Sequence, residues 1–504
     1  MDPIKRGWKR WVIGMSTSVV MLVALALLRW GHTSYQDGHL LSASSSAFIG
    51  PIKASANGRY FVDQNNVPWL LMADSPQGFM GVTSPADMAL FMAERKAQGF
   101  NAIYVVAICG MYFNGCHKNG QALDGTLPFT SGTCPATCDL STPNPSYFAQ
   151  LDALIRLAAS YGLVVILNPL DTQAWIVTME NNGATKTYNF GAYMGRRYKD
   201  FPNIIWQSGN DFQTWSTSLA DNYLAHQLML GVASTDPNHL QGTELNYNFS
   251  YGNQNLLLND VVTIDSAYTY GGTYDEIIQA YKSSPTLPVY LTEANYEGEG
   301  QGIGRLTENA GPYVLRKQIY WTMTSGGNGQ MWGNTHEDFP MTGGGWQTYI
   351  NSPGALQISG IRNFFESYHW WKLVPDCTSD CNRGSNHSVV KAGFGTYDAS
   401  NMTIDTENNY CSTGWSPDGT LAMVYCGGAV GQSSPYTLTV NMSAFSGPIR
   451  ARWFDPSNGS TGNTYTAIAG SPFANSGTHN FATPGTNGAN SAGDYDWVLV
   501  LDIP

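Results

Sequence analysis

The feature that most constrains the fold is a regular alternation of apolar runs and helical segments through the middle of the chain. Eight runs read as β-strands, at residues 68–73, 100–108, 163–167, 204–206, 240–244, 261–264, 289–291 and 330–332. Helical patterning separates most of them, at residues 85–99, 144–162, 189–199, 215–233, 274–282, 310–324 and 354–371. Continuous apolar strands are typical of a parallel sheet covered on both faces. Alternation on this scale, over about 300 residues, predicts a (β/α)8 TIM barrel.

A doubly wound open sheet is the competing fold for the same pattern. Its nucleotide-binding form carries a Gly-rich phosphate fingerprint directly after an early strand. No such fingerprint follows an early strand of this chain. The barrel is therefore the preferred interpretation, and a nucleotide cofactor is disfavoured.

The pattern changes near residue 375. Short alternating runs separated by turn residues follow, at 421–425, 436–440, 449–454 and 497–501. Such runs are typical of an antiparallel β-sandwich. We predict a barrel domain over residues 51–374 and a small β-sandwich over residues 375–504.

The N-terminus indicates export. Four basic residues within the first ten precede residues 11–28, which carry no charge. This pattern is typical of a signal peptide or an uncleaved membrane anchor over residues 1–30, here followed by a Ser-rich linker over residues 31–50. A buried helix of the folded domain is the alternative. The basic start places the rest of the chain outside the cytoplasm.

The spacing of the eight cysteines agrees with export. They form four close pairs, Cys109 with Cys116, Cys134 with Cys138, Cys377 with Cys381 and Cys411 with Cys426. The pairs lie in loops rich in Gly, Pro and Thr, which favours local disulfides in an oxidising compartment over a metal site.

Charge and aromatic content exclude two classes of protein. The chain has 25 Lys and Arg against 37 Asp and Glu, a net charge of -12. A nucleic-acid partner is therefore not expected, because binding phosphates needs a basic face. Aromatic residues at 12% argue against disorder, and they also supply flat rings on which sugars stack.

Polar and aromatic residues follow the predicted strands, at the end where barrel enzymes carry their active sites. Those singled out are Asp74, Asp171, Trp175, Asn210, Asp211, Tyr268, Glu293, Tyr296, Glu297 and Trp332; Asn246 and Tyr247 follow the fifth strand. Cleavage of a glycosidic bond needs this mixture, with two carboxyl groups for the chemistry and amides and rings for the sugar.

Asp211 and Glu293 are the preferred catalytic pair. They follow strands four and seven, which face each other across an eight-stranded barrel. The alternatives are a helix N-cap for Asp211 and a structural salt bridge for Glu293.

The other eight residues of that set are predicted to bind substrate, although a cap or turn role for Asp74 and Asp171 and a core role for Trp332 are open alternatives. No cofactor is expected. The run of His336, Glu337 and Asp338 has metal-binding residue types, but no second His lies at ligand spacing, so a solvated loop is preferred.

Several motifs resemble the apiosidase-like catalytic domain of glycoside hydrolase family 140. They are NGRYFVD at 57–63, LLMAD at 70–74, ERKAQGFN at 94–101, GRRYK at 195–199, PNIIW at 202–206, EANYEG at 293–298 and SPGALQ at 352–357. They occur in order over about residues 50–375. In the tail, RWFDPSNG at 452–459 resembles the small collagen-binding-type β-sandwich often attached to that domain.

The resemblance implies a (β/α)8 glycosidase that removes a terminal sugar, D-apiose in the founding activity, from a plant-type polysaccharide or glycoside. It implies Asp211 as the acid/base, Glu293 as the nucleophile, and retention of configuration. The chain departs from the family pattern in Gly209-Asn210-Asp211, where the family has Gly-Gly-Asp. It departs also in Asp74-Ser75-Pro76-Gln77, where the family has Asp-Thr-Ala-Trp. A catalytically silent carbohydrate-binding or cell-surface protein on the same scaffold is the alternative function.

The two roles require different protonation states near working pH. We expect neighbouring rings to raise the pKa of Asp211. We expect hydrogen bonds from Thr292, Asn295 and Tyr296 to hold the pKa of Glu293 down.

Overall fold

Eight parallel strands form the central sheet. They are β1 Leu71–Asp74, β2 Ala102–Val106, β3 Val164–Asn168, β4 Ile204–Gly209, β5 Gln241–Glu244, β6 Asp265–Thr269, β7 Val289–Glu293 and β8 Gly329–Trp332. Their order across the sheet is β5-β4-β3-β2-β1-β8-β7-β6, with an antiparallel strand, Asn248–Tyr251, outside β6. The Thr263 amide donates to the Gln241 carbonyl at 2.8 Å, which brings β5 against the chain entering β6 and nearly closes the sheet. The predicted TIM barrel is confirmed.

This computed structural model describes residues 50–504 except 111–114, 247, 301–308, 336–344, 400–407, 430–433, 459–464 and 486. The predicted signal peptide or anchor, nearly all of the linker, and the His336–Asp338 run lie outside the described residues. In the part of the chain that is described, no helix has the length and apolar character needed to cross a bilayer.

Helices cover the outside of the sheet. They are α1 Pro85–Ala97, α2 Pro145–Ser160, α3 Thr172–Tyr198, α4 Leu219–Thr235, α5 Thr273–Lys282, α6 Pro312–Thr324 and α7 Pro353–Glu366, with short helices at Phe79–Val82 and Trp346–Tyr349. Side chains of Ser84, Asn144, Asp171 and Ser218 cap the first four by accepting from first-turn amides. Proline begins α1, α2, α6 and α7, where its missing N–H removes no helical bond.

Three elements differ from the sequence-based expectation. Helix α4 starts at Leu219 rather than at residue 215 and is capped by Ser218, so Asp211 is not its N-cap. Helix α3 starts at Thr172 rather than near residue 189, with a break at Gly183, where φ is 70°. Strand β6 covers Asp265–Thr269 rather than 261–264, because Val261 and Val262 pack in a small outer cluster with Met229 and Leu258. Among the described residues between β5 and β6, short 3-10 turns replace the helix of an ideal repeat.

The C-terminal part consists of two antiparallel sheets. A six-stranded sheet has the order Val374–Pro375, Cys411–Trp415, Leu421–Cys426, Trp497–Asp502, Arg450–Phe454 and Tyr465–Ala467. A three-stranded sheet contains Val390–Ala392, Thr437–Asn441 and Thr478–Ala482. The predicted antiparallel sandwich is thus present. The domain boundary at residue 375 stays a prediction, since Val374 already pairs with the six-stranded sheet.

All eight cysteines are paired as the spacing suggested. The disulfides are Cys109–Cys116, Cys134–Cys138, Cys377–Cys381 and Cys411–Cys426. The last joins directly opposed residues on neighbouring strands of the six-stranded sheet. No group of His, Cys, Asp and Glu suited to a metal ion occurs in the described ranges.

Helix α6 of the barrel lies against the six-stranded sheet. The ring of Tyr320 stacks on that of Tyr425, with centroids 4.9 Å apart. Arg316 is 2% exposed and donates twice to Asp496, at 2.9 Å each. Asp496 has no exposed side-chain surface, so the ion pair is buried between the two parts. Barrel and sheets therefore share one core and form one compact unit over residues 48–504.

Replacing Arg316 by Met should lower the free energy of unfolding by about 3–5 kcal/mol, because it leaves the Asp496 carboxylate buried without its cation. Urea unfolding measures the loss. Arg383 pairs with Asp380 on the surface and is 75% exposed, so Arg383→Met is the matched control and should cost less than about 1 kcal/mol. Equal losses in the two variants would contradict a buried ion pair that stabilises this interface.

Candidate active site

Asp211 and Glu293 meet at one phenol. The Tyr268 hydroxyl lies 3.0 Å from Asp211 Oδ1 and 2.8 Å from Glu293 Oε1. Asp211 follows β4, Tyr268 lies near the end of β6, and Glu293 ends β7. Three carboxyl-terminal strand ends therefore bring the two carboxyl groups into one site, as expected for a barrel.

The Asp211 side chain is aimed by an unusual backbone turn. Gly209, Asn210 and Asp211 have φ of 88°, 73° and 46°, three consecutive residues in the left-handed region. At Gly209 a Cβ atom would come within 1.9 Å of the Glu244 carbonyl oxygen. Glycine is required there, and the other two residues hold a conformation that costs free energy for residues with side chains. Strained backbone of this kind is concentrated at functional sites.

Asp211 and Glu293 are slightly more exposed to solvent than three carboxyl groups nearby. Asp211 and Glu293 are 7% and 8% exposed, whereas Asp74, Asp171 and Glu244 are all 0% exposed. A small cavity beside Glu293 is lined also by Ser75, Asn295, Tyr296 and Trp332. Asp211 and Glu293 thus keep a small solvent-accessible surface that the fully buried carboxyl groups lack.

Two phenols donate to the carboxylate of Glu293. Tyr268 and Tyr270 both reach its Oε1, at 2.8 and 3.0 Å. Burial raises the pKa of Glu293 well above its ordinary range, and the charges of Glu244 and Asp211 raise it further. The two phenol hydrogen bonds offset this rise only in part.

The expected hydrogen-bond partners of Glu293, and the lowered pKa expected from them, are therefore wrong. The Thr292 hydroxyl donates to Glu244 Oε2 at 2.8 Å, and the Asn295 amide donates to Glu299 at 3.0 Å. The Tyr296 hydroxyl accepts from Gln77 at 3.1 Å. The donors to Glu293 are instead Tyr268 on the adjacent strand β6 and Tyr270 just after it.

Glu244 is a site residue that the sequence analysis missed. Its Oε1 accepts from the backbone amide of Asp211 at 3.1 Å. Burial, with the nearby Asp211 charge, raises the pKa of Glu244 to about 8. The signal was present in the sequence, because Glu244 is the last residue of β5 and precedes Asn246 and Tyr247. Tyr247 lies outside the described residues.

Comparison with known families decides the classification. The profile of the family described as "Apiosidase-like, catalytic domain" matches residues 55–372, more than half of the chain. The chain belongs to the apiosidase-like family. It is accordingly a glycoside hydrolase, whereas the narrower assignment to family 140 stays a prediction. A second profile, described as "Putative collagen-binding domain of a collagenase", matches residues 406–502.

Solved structures share the fold of this apiosidase-like protein. One described as a glycoside hydrolase is 19% identical, with a TM-score of 0.70, and the match covers 90% of this chain and 97% of that one. A glycoside hydrolase family 5 protein from Bacteroides vulgatus is 18% identical, with a TM-score of 0.71 and coverage of 90% and 94%. At these identities the likeness shows the fold alone. A search of curated proteins finds no relative of this chain.

Two carboxyl groups predicted to bind sugar have protein partners in the apiosidase-like barrel. Asp74 forms a fully buried ion pair with Arg95. Asp171 caps α3 by accepting from the amides of Gln173 and Ala174. Burial raises the pKa of Asp171 to about 8. The roles of Asp74 and Asp171 in binding substrate stay predictions. The helix cap formed by Asp171 is the structural alternative that the sequence analysis left open.

Four further candidates line or support the site of the apiosidase-like protein. The Trp175 indole donates to the Ile108 carbonyl at 2.9 Å, and Asn210 Oδ1 accepts from Tyr104 at 3.1 Å. Tyr296 lines the cavity at Glu293. Glu297 accepts from the Ser352 hydroxyl at 2.6 Å and the Gly354 amide at 2.7 Å, and so holds the start of α7.

Trp332 lines the same cavity and packs on the Arg95 guanidinium, 5.0 Å from its ring centre. Its buried indole N–H has no hydrogen-bond partner among the described residues, and neither does Asn295 Oδ1. Buried polar atoms are rarely left unpaired in folded proteins. The substrate-binding role of Trp332 stays a prediction, and its packing on Arg95 agrees with the core role considered as the alternative.

Proposed function

We propose that this apiosidase-like protein is a retaining glycosidase that removes a terminal sugar from a plant-type polysaccharide or glycoside. Asp211 is the acid/base and Glu293 is the nucleophile. The observation that carries the proposal is the shared contact of both carboxyl groups with the Tyr268 hydroxyl.

The spacing of the carboxyl groups supports retention. Asp211 Oδ1 and Glu293 Oε1 can be no farther apart than the sum of their distances to Tyr268 Oη, 3.0 and 2.8 Å. That upper limit lies below the about 6.5–9.5 Å between carboxyl groups of inverting enzymes and includes the about 5–5.5 Å of retaining ones.

A phenol has one proton and can donate to one acceptor at a time. If Tyr268 donates to Glu293, its oxygen is free to accept from a protonated Asp211. At a pH above the raised pKa of Glu293, the contacts therefore suit a protonated acid beside an ionised nucleophile, which is the starting state of a retaining glycosidase.

The reaction then proceeds in two steps. Glu293 attacks the anomeric carbon while the Asp211 proton moves to the leaving oxygen, so the glycosidic bond breaks and a glycosyl-enzyme ester forms. The Asp211 carboxylate next takes a proton from water, and that water attacks the anomeric carbon and releases Glu293. Tyr268 and Tyr270 stabilise the Glu293 charge before attack and after release.

The test is hydrolysis of a panel of aryl glycosides that includes apiosides, together with plant cell-wall fractions. We expect release of one terminal sugar, and NMR of the first product should show retained configuration. Gln77 replaces the Trp of the family pattern and contacts Ser75 and Tyr296, so pentosides other than apiosides belong in the panel. Inverted product would refute the retaining mechanism, and a protein that binds these glycans without cleaving them would fit the silent scaffold.

The pH dependence of kcat/KM should be bell-shaped, with activity lost at low pH as Glu293 takes up a proton. Because burial and nearby charge raise the pKa of Glu293, we expect this acidic limb above the usual glutamate range of about 4.3. Rates at constant ionic strength between pH 3 and 9 measure it. An acidic limb below pH 4 would contradict a buried nucleophile with this environment.

We propose further that the protein is exported. Four disulfides support this, since such bonds persist in oxidising compartments. Thiol labelling of protein taken directly from the source cells should find no free cysteine if the chain matures outside the cytoplasm, and several if it does not.

A further inference from the structure

Glu244 connects the two halves of the proposed catalytic pair. One carboxyl oxygen accepts from the Asp211 amide at 3.1 Å, and the other accepts from the Thr292 hydroxyl at 2.8 Å. Thr292 directly precedes Glu293 on β7. The Glu244 side chain is fully buried, so it cannot touch substrate without rearrangement of the site.

The backbone conformation before Asp211 costs free energy and must be held by contacts such as those of Glu244. Residues 209–211 are held in the left-handed region. The Gly209 carbonyl accepts from Thr172 at 3.0 Å, which anchors the turn towards β3. Glu244 lies in register opposite Gly209 on β5 and holds the same turn from the other side. The Asp211 amide is thereby fixed next to the carboxyl group that must reach the leaving oxygen.

We propose that Glu244 is the positioning residue of the general acid, holding Asp211 through its backbone amide and tying it to the nucleophile strand through Thr292. This inference rests on the proposed roles of Asp211 and Glu293. It assigns to Glu244 no contact with the sugar.

Chemistry predicts which substitution preserves this function. In the structure the Thr292 hydroxyl donates to Glu244. A neutral carboxyl group keeps both contacts if its carbonyl oxygen accepts from the Asp211 amide and the Thr292 hydroxyl turns to accept from its O–H. The raised pKa of Glu244, about 8, agrees with that form at neutral pH. Glutamine offers the same acceptor and donor, so Glu244→Gln should preserve the positioning, whereas Glu244→Ala removes both contacts.

The test compares leaving groups. In Glu244→Ala, kcat/KM for a glycoside with an alkyl alcohol leaving group should fall about 100-fold, the effect of an approximately 1 Å misplacement of a catalytic group. For a dinitrophenyl glycoside, which needs little protonation, the fall should stay below about 5-fold. Glu244→Gln should remain near wild type on both. Equal losses on both substrates, or a Gln variant as impaired as the Ala variant, would overturn the inference.

A matched control separates positioning from general destabilisation. Asp265 is the first residue of β6, far along the strand from Tyr268. It is also fully buried, and it accepts from the backbone amide of Asn253 at 3.1 Å. Asp265→Ala should affect both substrates equally. If Glu244→Ala does not fold, Thr292→Val cuts the link to β7, and the same selective loss is expected.

Amide hydrogen exchange gives a readout that does not require turnover. The Asp211 amide should exchange slowly in wild type and Glu244→Gln and at least about 10-fold faster in the variant that has lost its acceptor. Unchanged exchange would overturn the inference even if the protein proved inactive. By contrast, an inactive wild type with this exchange pattern would count against the proposed function, while the contact between Glu244 and the Asp211 amide would stand.

Discussion

Replacing Glu293 by Gln is expected to abolish turnover, with kcat lowered by more than about 10⁴-fold for every leaving group. An amide cannot form the glycosyl-enzyme ester, so activation of the leaving group does not help. Assays with dinitrophenyl glycosides measure the loss, because they detect the smallest residual rates.

Glu299→Gln is the matched control. Glu299 is a buried glutamate on the same loop, and it accepts from Asn295 and from the Tyr296 amide. The Glu299→Gln control should keep the wild-type kcat. Residual activity above about 1% of wild type in Glu293→Gln would mean that another residue is the nucleophile.

The same substitution should not destabilise the fold. Since the pKa of Glu293 is raised in the folded state, its contribution to stability is full below the unfolded pKa of about 4.3 and is lost as pH rises towards the folded pKa. Glutamine has no charge to bury. The melting temperature of Glu293→Gln should therefore exceed that of wild type, by more at pH 7 than at pH 5. A lower melting temperature at pH 7 would mean that the buried carboxylate is stabilised by contacts beyond its two phenols.

Asp211→Asn is expected to separate substrates by leaving group. For glycosides with alkyl leaving groups, loss of the proton donor should lower kcat/KM by about 10²–10⁴-fold. For dinitrophenyl glycosides kcat/KM should change little, while kcat falls because no base activates water in the second step. Added azide needs no base, so it should restore kcat and yield a glycosyl azide.

An equal loss on both kinds of substrate would remove the acid role from Asp211. Glu297 lies on the loop that follows the nucleophile and would be the next acid to test. In the structure it holds the start of α7 through Ser352 and Gly354. Glu244 is fully buried, so it could protonate a leaving group only if the site rearranged.

The sequence by itself was sufficient for the barrel, the antiparallel sheets and the cysteine pairs, because each rests on local information. Apolar runs of strand length between helical segments specify a covered parallel sheet. Cysteines four to fifteen residues apart in loops have few other partners within reach. The candidates Asp211 and Glu293 came from one rule, that barrel chemistry lies at strand ends. Their catalytic roles stay predictions.

Only the tertiary structure decided which polar groups meet. Asp74 and Asp171 obey the same strand-end rule as Asp211, yet one is paired with Arg95 and the other caps a helix. Glu244 and Tyr268 contact Asp211 from strands that lie more than thirty residues away in sequence. Such contacts depend on barrel register and on which side of each strand faces inwards, and a shift by one residue would reverse that side. The local pattern of apolar and polar residues is enough to predict the secondary structure. The partners of side chains across the barrel are determined only when the strands have assembled into the sheet.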